Sequence, residues 1–318
     1  MRPELLDLSI DSIWPLLVEN CMVEDQGESR DGDASELLGV SFRIDPLRNI
    51  LFNRTRAMSL VYAAAEFLWY LSWSDDGDHI MAYAPSYERF LNQDHRADGA
   101  YGLRWQGQIR RLLVELINPN TRRAVMGTWD ERDLGKETKD CPCTLSFQFF
   151  VRDGKLNMIT TMRSNDLWIG TPYDVFCFTS LQRLIAEFMN LQLGWYQHQP
   201  GSLHVYARNH EKALKIHSDD NTNGPAIRYI DHPRGLTFSE LITSATRIEH
   251  AVRLNVVTFN SLRDMLKERE LERTMLGSYV ALCWLNFAEE LPTIHDLGLV
   301  MPGQLAMVAE KWWKRKNS

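Results

Sequence analysis

The sequence predicts a mixed α+β fold, with a large mixed sheet, a central buried helix and a helical C-terminal part. Segments with strand character recur up to residue 206, whereas helical spacing of apolar residues continues from about residue 237 to the end. Together, these patterns predict a globular protein. The 318 residues are 44% hydrophobic and 24% charged, a composition that provides a sizeable core.

The first elements surround one strongly apolar segment. Residues 24–36 are polar and contain two glycines, so they predict a loop, and the alternation in residues 38–44 predicts a strand. Residues 58–73 are rich in helix formers and carry one acid, Glu66, which predicts the central buried helix. Residues 107–117 predict an amphipathic helix.

The middle of the chain predicts strands and a second apolar helix. The strand segments are residues 122–129, 144–151, 155–162 and 193–206. Asp153-Gly154 predicts a hairpin turn between two of these strands. The punctuation by Gly170, Thr171 and Pro172 predicts the start of the helix.

The last third of the chain is predicted to be helical, with breaks near residues 277 and 302. A polar segment rich in glycine and proline, residues 217–236, precedes it. We therefore expect a core of residues 1–230 and a helical part of residues 231–318, packed on the same domain.

Charge and cysteine content restrict the functional class. The net charge of −7 argues against direct binding of nucleic acid, which needs a basic surface. The five cysteines are odd in number and lack a repeating spacing, so we expect reduced thiols and a cytoplasmic location, the host cytoplasm for a viral protein. Residues 1–20 lack the pattern of a secretory signal, and no apolar stretch of about 18 residues predicts a membrane span.

Cys143 is the first candidate for chemistry. It lies at a predicted strand start directly after Pro142, where a thiol can be held at the edge of a cleft. A single cysteine of this kind is more often structural than catalytic. Cys141 leaves a metal-binding pair open, but no second Cys/His pair has the spacing of a zinc site, so we expect no metal.

Several polar motifs give Cys143 a context. They are Arg122-Arg123, Arg163-Ser164-Asn165-Asp166, Gly170-Thr171-Pro172-Tyr173-Asp174 and His204-Val205-Tyr206. Arginines bind phosphate through paired hydrogen bonds and lower the pKa of a neighbouring thiol. Two adjacent arginines alone also fit a solvated strand edge, and that alternative stays open for the first motif.

Together these motifs resemble the core of the thymidylate synthase family over residues 12–215. The nucleophile motif of the family is matched by Pro142-Cys143. Its other motifs are matched by the three later segments just named, by Ala65-Glu66-Phe67-Leu68-Trp69-Tyr70 and by Tyr101-Gly102 followed by Arg104-Trp105. The resemblance implies the fold of that family and a one-carbon transfer to C5 of a pyrimidine nucleotide.

The resemblance also implies the catalytic roles. Cys143 would add to C6 of the pyrimidine, which makes C5 nucleophilic enough to take up a one-carbon unit. Glu66 would act as a general acid and base through water, since an apolar helix raises the pKa of a carboxyl. A buried acid paired with a base is the alternative for Glu66. Asp166 would contact the pterin of 5,10-methylenetetrahydrofolate.

Substrate-binding roles follow from the same resemblance. The residues expected at the 5′-phosphate are Arg30, Arg163 and Ser164, with Arg122 and Arg123 from the neighbouring subunit. His204 and Tyr206 would hydrogen-bond the 3′-hydroxyl of the sugar. The resemblance therefore implies a homodimer with shared active sites.

Asp174 departs from the family pattern, because thymidylate synthases have Asn at this position. Cytosine offers an amino donor at N4 and an acceptor at N3, the reverse of uracil, and a carboxyl with one shared proton satisfies both atoms. Deoxycytidylate hydroxymethylases of the superfamily carry Asp here. We therefore expect a cytidine nucleotide and add Asp174 to the catalytic residues, the alternative being a drift from Asn without a change of base.

A second departure concerns the product. Tyr87 and Phe90 stand where thymidylate synthases have two tryptophans that shield the C5 methylene, so water capture is expected there. The expected reaction converts dCMP and 5,10-methylenetetrahydrofolate to 5-hydroxymethyl-dCMP and tetrahydrofolate, in nucleotide biosynthesis for DNA modification. The alternatives are a C5-methyltransferase acting on dCMP or dUMP, a CMP hydroxymethylase, and a non-enzymatic descendant that binds nucleotide or RNA.

Overall fold

The computed structural model describes residues 8–24, 26–27, 32–53, 55–216, 224–254 and 256–317. The helices are α1 (Ile10–Met22), α2 (Leu60–Leu71), α3 (Gly77–Met81), α4 (Tyr101–Glu115), α5 (Gly170–Phe188), α6 (Ala207–Ala213), α7 (Phe238–Arg253), α8 (Phe259–Glu268), α9 (Met275–Trp284), α10 (Ile294–Val300) and α11 (Gly303–Lys316). The strands are β1 (Gln26–Gly27), β2 (Ala34–Leu38), β3 (Phe42–Ile44), β4 (Val125–Gly127), β5 (Thr144–Arg152), β6 (Lys155–Met162), β7 (Asn165–Asp166), β8 (Gln192–Pro200) and β9 (Ser202–Tyr206).

These elements form two compact units that interleave along the chain. The first unit comprises Met1–Met58, Gly107–Asp133 and Pro142–Ala226, and the second comprises Ser59–Gln106, Leu134–Cys141 and Ile227–Ser318. The division at residue 230 expected from the sequence stays a prediction.

The first unit contains the strands, arranged in two sheets. One sheet has the order β1-β2-β9-β7 and the other has the order β3-β8-β6-β5-β4. The pairs β6–β8 and β7–β9 are parallel and the remaining pairs are antiparallel, so both sheets are mixed. The predicted hairpin between β5 and β6 is confirmed, with Asp153 and Gly154 at φ 52° and 70°.

Helix α5 covers this second sheet, with contacts to β6 and β8. Its apolar face is fully buried, and Phe178 packs edge-on against Phe147 of β5 with ring centroids 4.9 Å apart. The buried side chains of α5 and of the inward face of β5 form the core of the first unit. The predicted helix start at Gly170 is confirmed.

The second unit is built around α2, which packs against α7 and α9. Every residue of α2 is buried except Tyr62 and Glu66, which are half-buried. The prediction of a central buried helix is therefore confirmed. Across the described ranges, no helix is both long and apolar enough to span a membrane.

Several predicted boundaries were wrong for identifiable reasons. Of the single strand predicted over residues 38–44, only Phe42–Ile44 form β3, while Leu38 is the last residue of β2 in the other sheet. The chain turns between them at Gly39, with φ 68°. Gly277 does not break a helix but lies inside α9. A Cβ atom there would come within 1.9 Å of the Leu271 carbonyl oxygen, so glycine allows a close approach of backbone.

Two further boundaries moved. The amphipathic helix predicted over residues 107–117 begins earlier, at Tyr101. The strand predicted over residues 122–129 is reduced to Val125–Gly127. In both cases local propensity identified the type of element but not its ends.

Candidate active site

Cys143 and Arg163 meet at the open end of the β5–β6 hairpin. Cys143 precedes β5 and Arg163 follows β6, so antiparallel pairing places them side by side, with Arg163 N donating to Cys143 O at 2.8 Å. The Arg163 Nη2 atom lies 3.8 Å from Cys143 Sγ. Both side chains are half-buried. A cation at this distance stabilises a thiolate over the neutral thiol.

Further contacts hold the Arg163 side chain in this position. Its Nε donates to the Pro142 carbonyl oxygen at 2.9 Å, and its guanidinium carbon lies 5.6 Å from the centre of the Trp129 ring. The backbone of the Pro-Cys motif therefore orients the arginine that faces the thiol.

The other cysteines differ in exposure. All five are free thiols, of which Cys141 and Cys143 are half-buried while Cys21, Cys177 and Cys283 are buried. Burial raises the pKa of Cys21 to about 11 and that of Cys283 well above its ordinary value. Those two thiols are held neutral, which makes them poor nucleophiles.

Asp174 lies in the first turns of α5, next to β7. Asn165 Nδ2 donates to Asp174 Oδ2 at 2.7 Å. A Cβ atom at Gly170 would lie 2.9 Å from Asn165 Nδ2 and 3.2 Å from Asp174 Oδ2. The helix start therefore needs glycine so that the amide can reach the carboxylate.

No role was predicted from the sequence for His198 and Tyr196, which lie behind Asn165. Asn165 Oδ1 accepts from Thr171 Oγ1 at 2.7 Å and lies 2.9 Å from His198 Nε2. His198 Nδ1 in turn lies 2.7 Å from the Tyr196 hydroxyl. A histidine at an inward position of a predicted strand was the available signal.

Asp166 and His204 are brought together by the parallel pairing of β7 with β9. Asp166 Oδ1 accepts from the backbone N–H groups of Trp168 at 2.8 Å and Ile169 at 3.1 Å. Burial raises the pKa of the Asp166 carboxyl, against the opposing effect of these hydrogen bonds. A carboxylate so placed can accept from the N–H groups of a pterin ring, so its chemistry fits a folate.

His204 and Tyr206 lie two residues apart on β9 and therefore share one face of the strand. Their ring centroids are 4.8 Å apart, and the Arg208 guanidinium carbon lies 4.0 Å from the centre of the Tyr206 ring. The pair presents an imidazole and a phenol, both able to bind a hydroxyl group.

The remaining basic candidates are more scattered. Arg122 and Arg123 are exposed just before β4, and Arg123 Nε lies 4.0 Å from Glu115 Oε1. Ser164 is half-buried directly after Arg163. Arg30 lies outside the described residues. The phosphate-binding roles of these four residues stay predictions.

Glu66, Tyr87 and Phe90 belong to the second unit. Glu66 Oε1 accepts from the Tyr62 hydroxyl at 2.9 Å, one turn earlier on α2. Tyr87 packs edge-on against Trp69 with ring centroids 5.6 Å apart, and against Phe90 at 5.3 Å. Their roles in acid–base chemistry and in shielding the C5 methylene stay predictions.

The described part of the chain contains no cluster of side chains that could bind a metal ion. Within those ranges, no group of three or more His, Cys, Asp or Glu side chains is arranged to hold an ion. The chemistry of the described site is that of a thiol, a guanidinium group and carboxylates.

Comparisons with known proteins identify the family of the chain. The thymidylate synthase family model matches residues 17–243. The thymidylate synthase of Vesicomyosocius okutanii is 26% identical over 216 residues, covering 63% of this chain and 79% of that protein. The thymidylate synthase of Listeria monocytogenes serotype 4b is 33% identical over 139 residues, covering 40% of this chain and 44% of that protein.

The family match spans more than half of the chain and includes every described residue of the first unit from Leu17 onwards. It confirms the predicted thymidylate synthase-like α+β fold. The chain therefore belongs to the thymidylate synthase family.

Proposed function

We propose that this enzyme converts dCMP and 5,10-methylenetetrahydrofolate to 5-hydroxymethyl-dCMP and tetrahydrofolate. As a member of the thymidylate synthase family, the chain is a folate-dependent one-carbon transferase that acts on a nucleotide. The proposal that the substrate is a cytidine nucleotide rests on the Asp174 carboxylate, whose Oδ2 accepts from Asn165 Nδ2 at 2.7 Å.

Recognition of the base rests on Asp174. A carboxyl with one proton accepts from the N4 amino group of cytosine and donates to N3. Uracil reverses both requirements, so a carboxyl whose proton stays on the oxygen that faces N3 is mismatched with uracil at two buried polar atoms. The Asn165 contact supports this role because it orients the carboxylate from the side.

The reaction begins with the thiolate of Cys143 adding to C6 of the base. The new S–C6 bond pushes the electron pair of the C5–C6 double bond towards N3, where the proton shared with Asp174 neutralises it. Methylenetetrahydrofolate would supply the one-carbon unit that C5 takes up. The Arg163 guanidinium group at 3.8 Å supports the thiolate before the addition.

The later steps remove a proton and add water. Loss of the C5 proton, with Glu66 proposed as the base through water, would break the bond between the one-carbon unit and the folate nitrogen. Tetrahydrofolate would leave with the electron pair of that bond, and an exocyclic methylene group would remain on C5. Hydroxide derived from water attacks that methylene, the C5–C6 double bond forms again, and the C6–S bond breaks. Because no hydride is transferred, the folate is not oxidised and leaves as tetrahydrofolate.

Water capture separates this proposal from methyl transfer. In the methyl alternative a hydride reduces the methylene group and dihydrofolate accumulates. Tyr87 and Phe90, in place of two tryptophans, support the capture of water. Methyl transfer to dCMP or dUMP, and hydroxymethylation of CMP, are the alternatives that product analysis distinguishes.

The proposed binding of the nucleotide involves both ends of the sugar phosphate. Arg163 and Ser164 would bind the 5′-phosphate together with Arg30, while His204 and Tyr206 would bind the 3′-hydroxyl. Members of the family are typically dimeric, and we propose that Arg122 and Arg123 reach the phosphate in a homodimer. Their exposure on one subunit is consistent with such a role.

A panel of C5-tritiated nucleotides tests the base preference. Tritium release from dCMP, CMP and dUMP would be measured with tetrahydrofolate and formaldehyde present and absent. We expect dCMP to be turned over with the highest kcat/KM. Preference for dUMP would refute the proposed function of Asp174.

A cysteine pair provides a matched test of the nucleophile. We expect Cys143→Ala to lower tritium release from dCMP at least about 1000-fold, because addition to C6 is lost. Cys141→Ala changes a neighbouring thiol that is also half-buried, and full release is expected from it. Full release from Cys143→Ala would exclude that thiol as the nucleophile.

A further inference from the structure

A chain of buried hydrogen bonds lies behind Asp174. We propose that Asn165, positioned by His198 and Tyr196, sets which oxygen of Asp174 carries the shared proton and so selects cytosine over uracil. This inference rests on the proposed function, since it concerns how the same carboxyl reads the base. We call the four residues Tyr196, His198, Thr171 and Asn165 the relay.

The relay is closed to solvent. Tyr196 and His198 are 0% exposed and Asn165 is 2% exposed. Its links measure 2.7 Å from Tyr196 to His198 and 2.9 Å from His198 to Asn165. The last link, from Asn165 Nδ2 to Asp174 Oδ2, measures 2.7 Å and ends at a half-buried carboxylate.

The direction of each bond follows from the protonation of the members. Burial lowers the pKa of His198 to about 3, so its ring is neutral, with one nitrogen donating and one accepting. Burial raises the pKa of Tyr196, so its hydroxyl keeps the proton and can donate or accept. Because Asn165 Nδ2 donates to Asp174, the Asn165 oxygen faces His198, whose proton therefore lies on Nε2 and whose Nδ1 accepts from the Tyr196 hydroxyl. His198 Nε2–H then donates to Asn165 Oδ1.

Thr171 reinforces the same direction. Its hydroxyl also donates to Asn165 Oδ1, at 2.7 Å. With two donors on its oxygen, the Asn165 amide must point its NH2 group towards Asp174. The relay therefore presents a fixed donor to Asp174 Oδ2.

A fixed donor breaks the symmetry of the carboxyl group. A protonated carboxyl can match either base, because moving the proton from one oxygen to the other exchanges donor and acceptor. The Asn165 N–H keeps Oδ2 an acceptor, so the proton resides on Oδ1. With Oδ2 towards N4 and Oδ1 towards N3, this arrangement fits cytosine. Uracil would need the proton on Oδ2, against the Asn165 donor.

The test compares two substrates on the same variant. We expect Asn165→Leu to lower the ratio of kcat/KM for dCMP to that for dUMP about 10- to 100-fold, the size of a lost hydrogen bond to a charged group. Tyr196→Phe removes one hydroxyl at the far end of the relay, and a smaller fall in the same ratio is expected from it. Because each ratio is measured on one protein preparation, loss of folded protein cancels.

A matched control comes from Asn157 on β6. It is also buried; its Nδ2 donates to the Phe150 carbonyl oxygen of β5 at 3.4 Å, and its Oδ1 accepts from the Trp195 backbone N–H of β8 at 3.1 Å. Asn157→Leu therefore removes buried hydrogen bonds from the same pair of strands without removing a side chain of the relay. We expect it to lower stability and to leave the substrate ratio unchanged.

The outcomes separate the two proposals. A wild-type preference for dUMP would refute the proposed function itself. A wild-type preference for dCMP that both Asn165→Leu and Tyr196→Phe retain in full would refute the relay and leave the function standing. An equal fall in Asn157→Leu would assign the effect to general loosening of the sheet, and would also refute the relay.

Discussion

Two buried polar networks, one in each compact unit, have opposite electrical character. The relay of the first unit consists of neutral groups and ends at one carboxylate. In the second unit, Glu249 is 1% exposed and lies 3.2 Å from His79 Nε2 and 3.1 Å from Arg253 Nε. The Tyr83 hydroxyl donates to the same carboxylate at 2.7 Å.

The two networks therefore differ in what their hydrogen bonds achieve: one fixes the orientation of a group, and the other stabilises a buried charge. Neutral partners that each donate once specify the orientation of the next group, as in the relay. A guanidinium group, an imidazole and a phenol around one buried carboxylate compensate its desolvation from several sides and specify little beyond that. We therefore expect the relay to control selectivity and the Glu249 cluster to control stability.

The largest effect on this comparison should come from Asp174→Asn, at the end of the relay. We expect kcat for dCMP to fall about 100- to 10000-fold, because an amide cannot deliver the proton that N3 needs. KM for dCMP should change much less, since an amide can still pair with the cytosine edge. Steady-state kinetics with both nucleotides measure the two parameters, and an unchanged kcat would contradict the role of the carboxyl.

The next largest effect should be on stability, from Glu249→Gln. Removing the charge leaves Arg253 and His79 without their carboxylate, which costs about 3 kcal/mol. Urea unfolding would measure the loss, while the ratio of dCMP to dUMP turnover should not move. Glu268→Gln, an exposed change on α8, serves as the control. A shifted substrate ratio in Glu249→Gln would end the contrast between the two networks.

Glu249 also predicts the sign of a pH effect. Burial acts to raise its pKa, but the His79, Arg253 and Tyr83 contacts together hold it below the ordinary value of 4.5. Its contribution to stability is therefore fully present above about pH 4.5 and is lost as the pH falls through the lower folded-state value. The difference in unfolding free energy between wild type and Glu249→Gln should shrink on acidification. Growth of that difference would contradict the assignment.

The smallest effect should come from Gly170→Ala. The added Cβ would press on Asn165 Nδ2 and Asp174 Oδ2, so we expect a fall of about 3- to 10-fold in the dCMP:dUMP ratio. Gly107→Ala on α4 adds a methyl group with no heavy atom within 4 Å and should change nothing. Equal ratios for the two variants would mean that the Asn165–Asp174 contact tolerates displacement.

The sequence predicted the parts of this site that lie in contiguous motifs. Cys143 and Arg163 were recognisable because each stands in a short motif, and the Asp153-Gly154 turn between them predicted their hairpin. The relay could not be predicted in the same way. Asn165 and His198 are 33 positions apart and their strands belong to different sheets, so only the folded chain brings them together.

Fold prediction failed where tertiary contacts override local signals. Glycine is typical of helix breaks, but Gly277 lies inside α9, where it lets the backbone approach the Leu271 carbonyl group closely. The apolar alternation through Gly39 concealed a turn that sends β2 and β3 into different sheets. The periodicity of a single segment shows neither its contacts with other parts of the chain nor the sheet that a strand joins.

The fate of the one-carbon unit tests the central claim most directly. Wild-type enzyme would be incubated with dCMP and 5,10-methylenetetrahydrofolate in water enriched in the heavy isotope of oxygen. The mass of the nucleotide product would then be measured by mass spectrometry. We predict a hydroxymethyl product that carries the heavy oxygen, with tetrahydrofolate as the folate product. A methyl product lacking that oxygen, with dihydrofolate accumulating, would contradict it.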